Sequence, residues 1–166
     1  MKINNKYGEK MIQKILAVDD EPDLLRLLER IIMEKTPYQI SVTNNSLEVP
    51  GLLADNEYDI IITDLKMPGL DGLDILKLVR ENNRFEQVII ITAFGSLETA
   101  MEALSQGVFD YITKPFKKEQ IIFTLDRAMR YQVNAREARN MSEIFNLPLD
   151  AAVEKFTIEY NKRKSI

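Results

Sequence analysis

The order of apolar segments predicts a doubly wound α/β fold, five parallel strands each followed by a helix. Three observations lead there. Short apolar runs alternate five times with longer stretches of helical spacing. Two of those runs, "IIIT" at 60–63 and "VIIIT" at 88–92, are apolar at successive positions. Strands buried on both faces of a parallel sheet require that. Pro, Gly and Asn cluster at several of the junctions between the segments.

The elements follow in order. "KILAV" (14–18) reads as a buried strand. "PDLLRLLERIIMEK" reads as a helix, with Leu24, Leu27, Leu28 and Ile31 expected on one face. "YQISVT" (38–43) is more polar, as suits a strand at a sheet edge. In "SLEVPGLLADN", Pro50 and Gly51 predict a kinked or shortened helix. "YDIIIT" (58–63) is a strand, "LKMPGLDG" (65–72) a loop, and "LDILKLVREN" a helix facing inward with Ile75, Leu76 and Val79. "QVIIIT" (87–92) is the fourth strand. Ser96 can cap the helix "LETAMEALSQ", which Gly107 closes. "FDYIT" (109–113) is the last strand, and residues 117–140 form a long final helix. The expected spatial order is the flavodoxin-like 2-1-3-4-5, with the polar second strand at the edge.

In such sheets ligands collect outside the carboxyl ends of the strands. Strand one ends in Asp19-Asp20, strand three in Thr63-Asp64 and strand four in Thr92-Ala93. Strand five runs into Thr113-Lys114-Pro115, while strand two ends in uncharged Asn44-Asn45. One rim would then hold three carboxylates, a hydroxyl and an amine. Three crowded carboxylates repel, and a hard divalent cation relieves the repulsion. Oxygen ligands with room for water suit Mg²⁺. Asp20 and Asp64 are the expected direct ligands, Asp19 acts through water, and the Lys66 carbonyl adds a backbone oxygen. Asp64 keeps an oxygen free to attack phosphorus, with the metal, Lys114 and Thr92 contacting the phosphoryl oxygens. The triplet Asp19-Asp20-Glu21 also has a plainer use. Acids suit the start of a helix, and Pro22 fits its first position.

Composition narrows the chemistry. The 166 residues include 22 basic and 26 acidic ones, a net charge of -4 that calls for neither nucleic acid nor an anionic membrane. No apolar run approaches the roughly 20 residues of a membrane span. The N-terminal "MKINNKYGEKM" lacks a signal-peptide core, so a cytoplasmic location is expected. Without Cys or His there is no thiolate, disulfide, imidazole base or phosphohistidine in the chain.

"VDDEPD" (18–23), "YDIIITDLKMPGLDG" (58–72), "IIITAFGS" (89–96) and "GVFDYITKPF" (107–116) together resemble the response-regulator receiver domains of two-component signalling. "TAFGSLETAMEALSQGVFDYITKPF" resembles the nitrogen-regulator type in particular. The resemblance covers about residues 12–130, leaving 1–11 as a tail and 131–166 as a helical linker. It implies that Asp64 accepts a phosphoryl group from a sensor histidine kinase, with Asp19 and Asp20 holding Mg²⁺ and Lys114 contacting phosphate. It implies Thr92 and Tyr111 as a switch pair, and a cis bond between Lys114 and Pro115. It also places Phe94 and Lys66 where the family tunes the lifetime of the phosphoryl group. Self-phosphorylation and self-dephosphorylation are the only catalysis expected.

The last third is less telling. "RYQVNAREARN" could pair in a homodimer or extend into solvent. Leu149, Ala152, Val153, Phe156 and Tyr160 form an apolar stripe weakly similar to the first helix of Fis-type DNA-binding domains. No helix-turn-helix or nucleotide loop follows, so no direct DNA binding is expected, and Lys162, Arg163 and Lys164 read as a helix C-terminus. The output partner stays open. Three alternatives remain: a truncated DNA-binding regulator, a phosphorylation-independent interaction module, and an aspartate-nucleophile phosphohydrolase. The last needs a second acid where Lys66 stands.

Overall fold

A computed structural model describes residues 12–82, 84–145, 148–151, 153–154 and 157–158. Two compact units are present, Met1–Met129 and Arg130–Ile166. The first is a five-stranded sheet in the order β2-β1-β3-β4-β5, with every pairing parallel. The strands are β1 (Lys14–Val18), β2 (Gln39–Thr43), β3 (Ile60–Thr63), β4 (Gln87–Thr92) and β5 (Asp110–Thr113). The helices are α1 (Pro22–Lys35), α2 (Val49–Asp55), α3 (Gly72–Glu81), α4 (Leu97–Ser105) and α5 (Lys118–Phe145).

Alternation along the strands divides the core. Leu16, Val18, Ile61, Val88 and Ile90 share one cluster with Val49 and Leu53 of α2, Ile75, Leu76 and Val79 of α3, and Ala103 of α4. The intervening Ile15, Ala17, Ile60, Ile62, Ile89 and Ile91 are equally buried. They point to the opposite face, where a right-handed β1-α1-β2 crossover places α1. Each buried Leu or Ile contributes about 1.5–3 kcal/mol of transfer free energy, so the sheet's two apolar faces dominate stability.

Local chemistry sets the helix ends. Asp71 and Ser96 each build a capping box, with Asp74 and Thr99 respectively. Gly107 closes α4 at φ +81, a conformation other residues adopt only with strain. Pro50 occupies the first turn of α2, where a missing N–H is harmless. The helix is thus shortened rather than kinked, and a 3-10 turn at Ser46–Glu48 leads into it.

The expected face of α1 needs correction. Leu25, Leu28, Ile31 and Ile32 are buried, whereas Leu27 is 41% exposed and Leu24 only half-buried. The doublets Leu24-Leu25, Leu27-Leu28 and Ile31-Ile32 allow two helical registers of nearly equal apolarity. Packing onto the sheet selects the second.

In the second unit, α5 continues to Phe145, past the expected end at residue 140. Further helical residues lie at 149–151, 153–154 and 157–158. Of the expected stripe there, Leu149 and Val153 are exposed. Ala152, Phe156, Tyr160 and the basic residues 162–164 lie outside the described residues.

Candidate functional site

Parallel pairing brings the carboxyl ends of the strands to one rim. Val18 is level with Thr63, and the next residue on β3's side, Asp64, donates its N–H to the Val18 carbonyl at 3.0 Å. Thr92 is level with Thr113, and its carbonyl accepts the N–H of Lys114 at 2.8 Å. Register alone therefore delivers Asp19, Asp20, Asp64, Thr92 and Lys114 to the same edge.

Side chains converge there as well. Asp19, Asp20 and Asp64 each offer a carboxylate oxygen, all within 4.8 Å of one another. Asp19 and Asp64 are buried and Asp20 is exposed. The Lys114 Nζ lies 3.1 Å from Asp19 Oδ2, 3.1 Å from Glu21 Oε1 and 3.6 Å from Asp64 Oδ2. Asp19 Oδ1 accepts the Glu21 N–H at 2.8 Å, and Asp64 Oδ1 accepts the Leu65 N–H at 2.6 Å.

The electrostatics are strained. Burial pushes the Asp19 carboxyl above its ordinary 3.8, and neighbouring Asp64 adds to the rise. The Glu21 N–H and the Lys114 ammonium pull it back only in part. Burial draws Lys114 down, but its bond to Glu21 and the charges of Asp19 and Asp64 outweigh that and lift it above 10.5. Asp19, Glu21 and Asp64 thus share the Lys114 ammonium, with the Asp20 carboxylate beside Asp19 and Asp64. An all-oxygen donor set of this charge fits a hard divalent cation.

The remaining expected residues lie on β4 and β5 and in the loops after β3, β4 and β5. Thr92 is fully buried, and its Oγ1 accepts the Phe94 N–H at 3.1 Å. Tyr111 is half-buried, and its hydroxyl bonds Thr99 Oγ1 of the α4 capping box at 3.0 Å. Lys66 and Phe94 are exposed and meet each other, the ammonium 5.5 Å from the ring centroid. The Lys114–Pro115 bond is cis.

Three contributors escaped the sequence reading of the site. In the sequence Glu21 is one of three consecutive acids, with nothing to mark it as a partner of Lys114. Thr99 is bonded to Tyr111 across twelve residues of chain. Ser46, just after the uncharged end of β2, donates to the Pro68 carbonyl and accepts the Leu70 N–H, both at 2.8 Å. It pins the loop that follows Asp64. No sequence signal marks Ser46 or Thr99, because each acts through a partner distant in the chain.

Residues 15–126 match the response regulator receiver domain. The chain belongs to that family. This receiver is 34% identical over 132 residues to regulatory protein AtoC of Escherichia coli K12, covering 80% of this chain and 28% of that one. It is 41% identical over 103 residues to response regulator protein PilR of Pseudomonas aeruginosa, covering 62% and 23%. The receiver is NtrC-like, and it spans about a quarter of the length of these curated relatives. The receiver domain of Francisella response regulator 1452 superposes with a TM-score of 0.67 at 32% identity, over 72% of this chain and 98% of that one. NtrX from Brucella abortus superposes with a TM-score of 0.73 at 25% identity, over 83% and 31%. Among the described residues, no helix of the receiver is long and apolar enough to cross a membrane.

Proposed function

We propose that this receiver accepts a phosphoryl group on Asp64 from the phosphohistidine of a partner sensor kinase and answers by changing a protein-interaction surface. The convergence of Asp19, Asp20, Asp64 and Lys114 on one rim carries this reading. An oxygen of Asp64 forms a P–O bond while the P–N bond of the phosphoimidazole breaks. The imidazole leaves with the electron pair and takes up a proton. Leu65 holds Oδ1, so Oδ2, facing Lys114, is the oxygen assigned to the attack.

Asp19, Asp20 and Asp64 would hold Mg²⁺, Asp19 through water, with the Lys66 carbonyl as a further ligand. Bound there, the ion supplies charge neutralisation for the phosphoryl oxygens. Lys114 neutralises one of those oxygens, and the Thr92 hydroxyl turns from Phe94 to donate to another.

The product adds about -1.5 to -2 charge at Asp64. As Thr92 turns, Tyr111 moves into the space and loosens its bond to Thr99. The start of α4 responds, and with it the exposed Leu97, Met101 and Leu104. A gap of a few kcal/mol between two conformers is small enough for such bonds to reverse. Residues 12–130 form the receiver in this reading, 131–166 a helical linker, and the protein works in the cytoplasm.

Incubation with acetyl phosphate and Mg²⁺ tests the proposal by intact mass. Wild type should gain one phosphate adduct, releasing acetate, and Asp64→Asn none. Chelating the metal beforehand should abolish the adduct. An equal adduct on Asp64→Asn would overturn the assignment.

A further inference from the structure

Three carboxylates surround the Lys114 ammonium. It donates to Asp19 Oδ2 and Glu21 Oε1, both at 3.1 Å, and faces Asp64 Oδ2 at 3.6 Å, an ion-pair contact beyond hydrogen-bond range. A phosphoryl group arriving at Asp64 competes with these carboxylates for the ammonium. Asp64 would itself carry the group. Asp19 is held from its other side by the Glu21 N–H and is nearly inaccessible. The Glu21 side chain is 63% exposed, flexible and free to rehydrate once it leaves.

We propose that Glu21 is a placeholder ligand of Lys114, occupying the lysine until a phosphoryl group displaces it, and so setting the threshold for phosphorylation. The inference rests on the reading of Asp64 as phosphoacceptor. Glu21 is a positioning residue here, acting only through Lys114. Its side chain makes no capping bond at the start of α1, although it stands at the N-cap position. Its removal therefore leaves the helix cap without a lost partner.

Two measurements on the full chain test the proposal, both on wild type, Glu21→Gln and Glu21→Ala. The first is acetylation of Lys114 by an amine-reactive ester, followed by mass spectrometry without metal. Lys114 should react faster in Glu21→Ala than in wild type, with Glu21→Gln between. The second is binding of beryllofluoride, a stand-in for a phosphoryl group on a carboxylate, at saturating Mg²⁺. Affinity should rise roughly two- to fivefold in Glu21→Ala, the range of a part-exposed ion pair. The gain should shrink in high salt and vanish in a Lys114→Ala background.

Unchanged Lys114 reactivity in Glu21→Ala would overturn the contact. Faster reaction without tighter beryllofluoride binding would overturn the placeholder role. A gain that persists without Lys114 would also overturn it. Wild type that binds no beryllofluoride would instead overturn the phosphoacceptor reading, and the placeholder role with it.

Discussion

The Lys66 ammonium stands 5.5 Å from the centre of the Phe94 ring, joining the loop after β3 to the loop after β4. The two residues lie two positions beyond Asp64 and Thr92. At an exposed site such a cation–π contact contributes about 0.5–1 kcal/mol. With Asp64 as the proposed phosphoacceptor, this strap would hinder water from reaching the phosphoryl group. Phe94→Ala is expected to speed loss of the phosphate adduct several-fold, followed by intact mass after removal of acetyl phosphate. Lys66→Ala should have a smaller effect in the same direction. An unchanged rate in Phe94→Ala would remove Phe94 from this role.

Gly72 has no room for a side chain. A Cβ there would lie 2.5 Å from the Asp64 carbonyl oxygen and 3.0 Å from the Leu65 Cα. Neither is the movable end of a side chain, so backbone must shift. Gly72→Ala should destabilise the fold by about 1–3 kcal/mol, the usual range for overpacking. Urea denaturation measures this. Phosphate uptake should fall too, because the shift displaces Asp64 itself.

Tyr111 and Thr99 should behave as a pair. Removing their hydrogen bond by Tyr111→Phe should cost about 0.5–1.5 kcal/mol. Thr99→Ala should cost more, because Thr99 Oγ1 also accepts the Ser96 N–H in the capping box. The double variant should fall short of the sum. Full additivity in chemical denaturation would show that the bond does not couple β5 to α4.

At the proposed Mg²⁺ site, metal binding and pH would be linked through Asp19. Its folded carboxyl is raised, so ionising it costs stability. That cost applies above the raised value and disappears as pH falls below the ordinary 3.8. Bound at the proposed site, Mg²⁺ would reverse the balance by favouring the ionised form. At one hundred times its dissociation constant, a ligand stabilises by about 2.7 kcal/mol. Thermal melts should therefore show Mg²⁺ raising Tm at neutral pH, with a smaller rise as pH approaches the carboxylate range. For Lys114 the sign is opposite: its raised ammonium stabilises below 10.5, and that is lost as pH climbs through its folded value. An equal Mg²⁺ shift at all pH values would remove Asp19 from the metal site.

Local periodicity determined much of this protein. The runs "IIIT" and "VIIIT" read as strands buried on both sides, and acids, a hydroxyl and a lysine at the ends of four strands marked one rim. These signals are legible because strand and helix periods repeat within a few residues. Tertiary structure alone decided the face of α1, since its apolar doublets suit two registers and only the sheet distinguishes them. It alone brought Glu21 to Lys114 across 93 residues, Thr99 to Tyr111, and Ser46 to the loop after Asp64. A polar side chain carries no periodic signal of its partner. Which carboxylate meets which ammonium depends on which strand ends become neighbours, and that is settled only when the sheet closes.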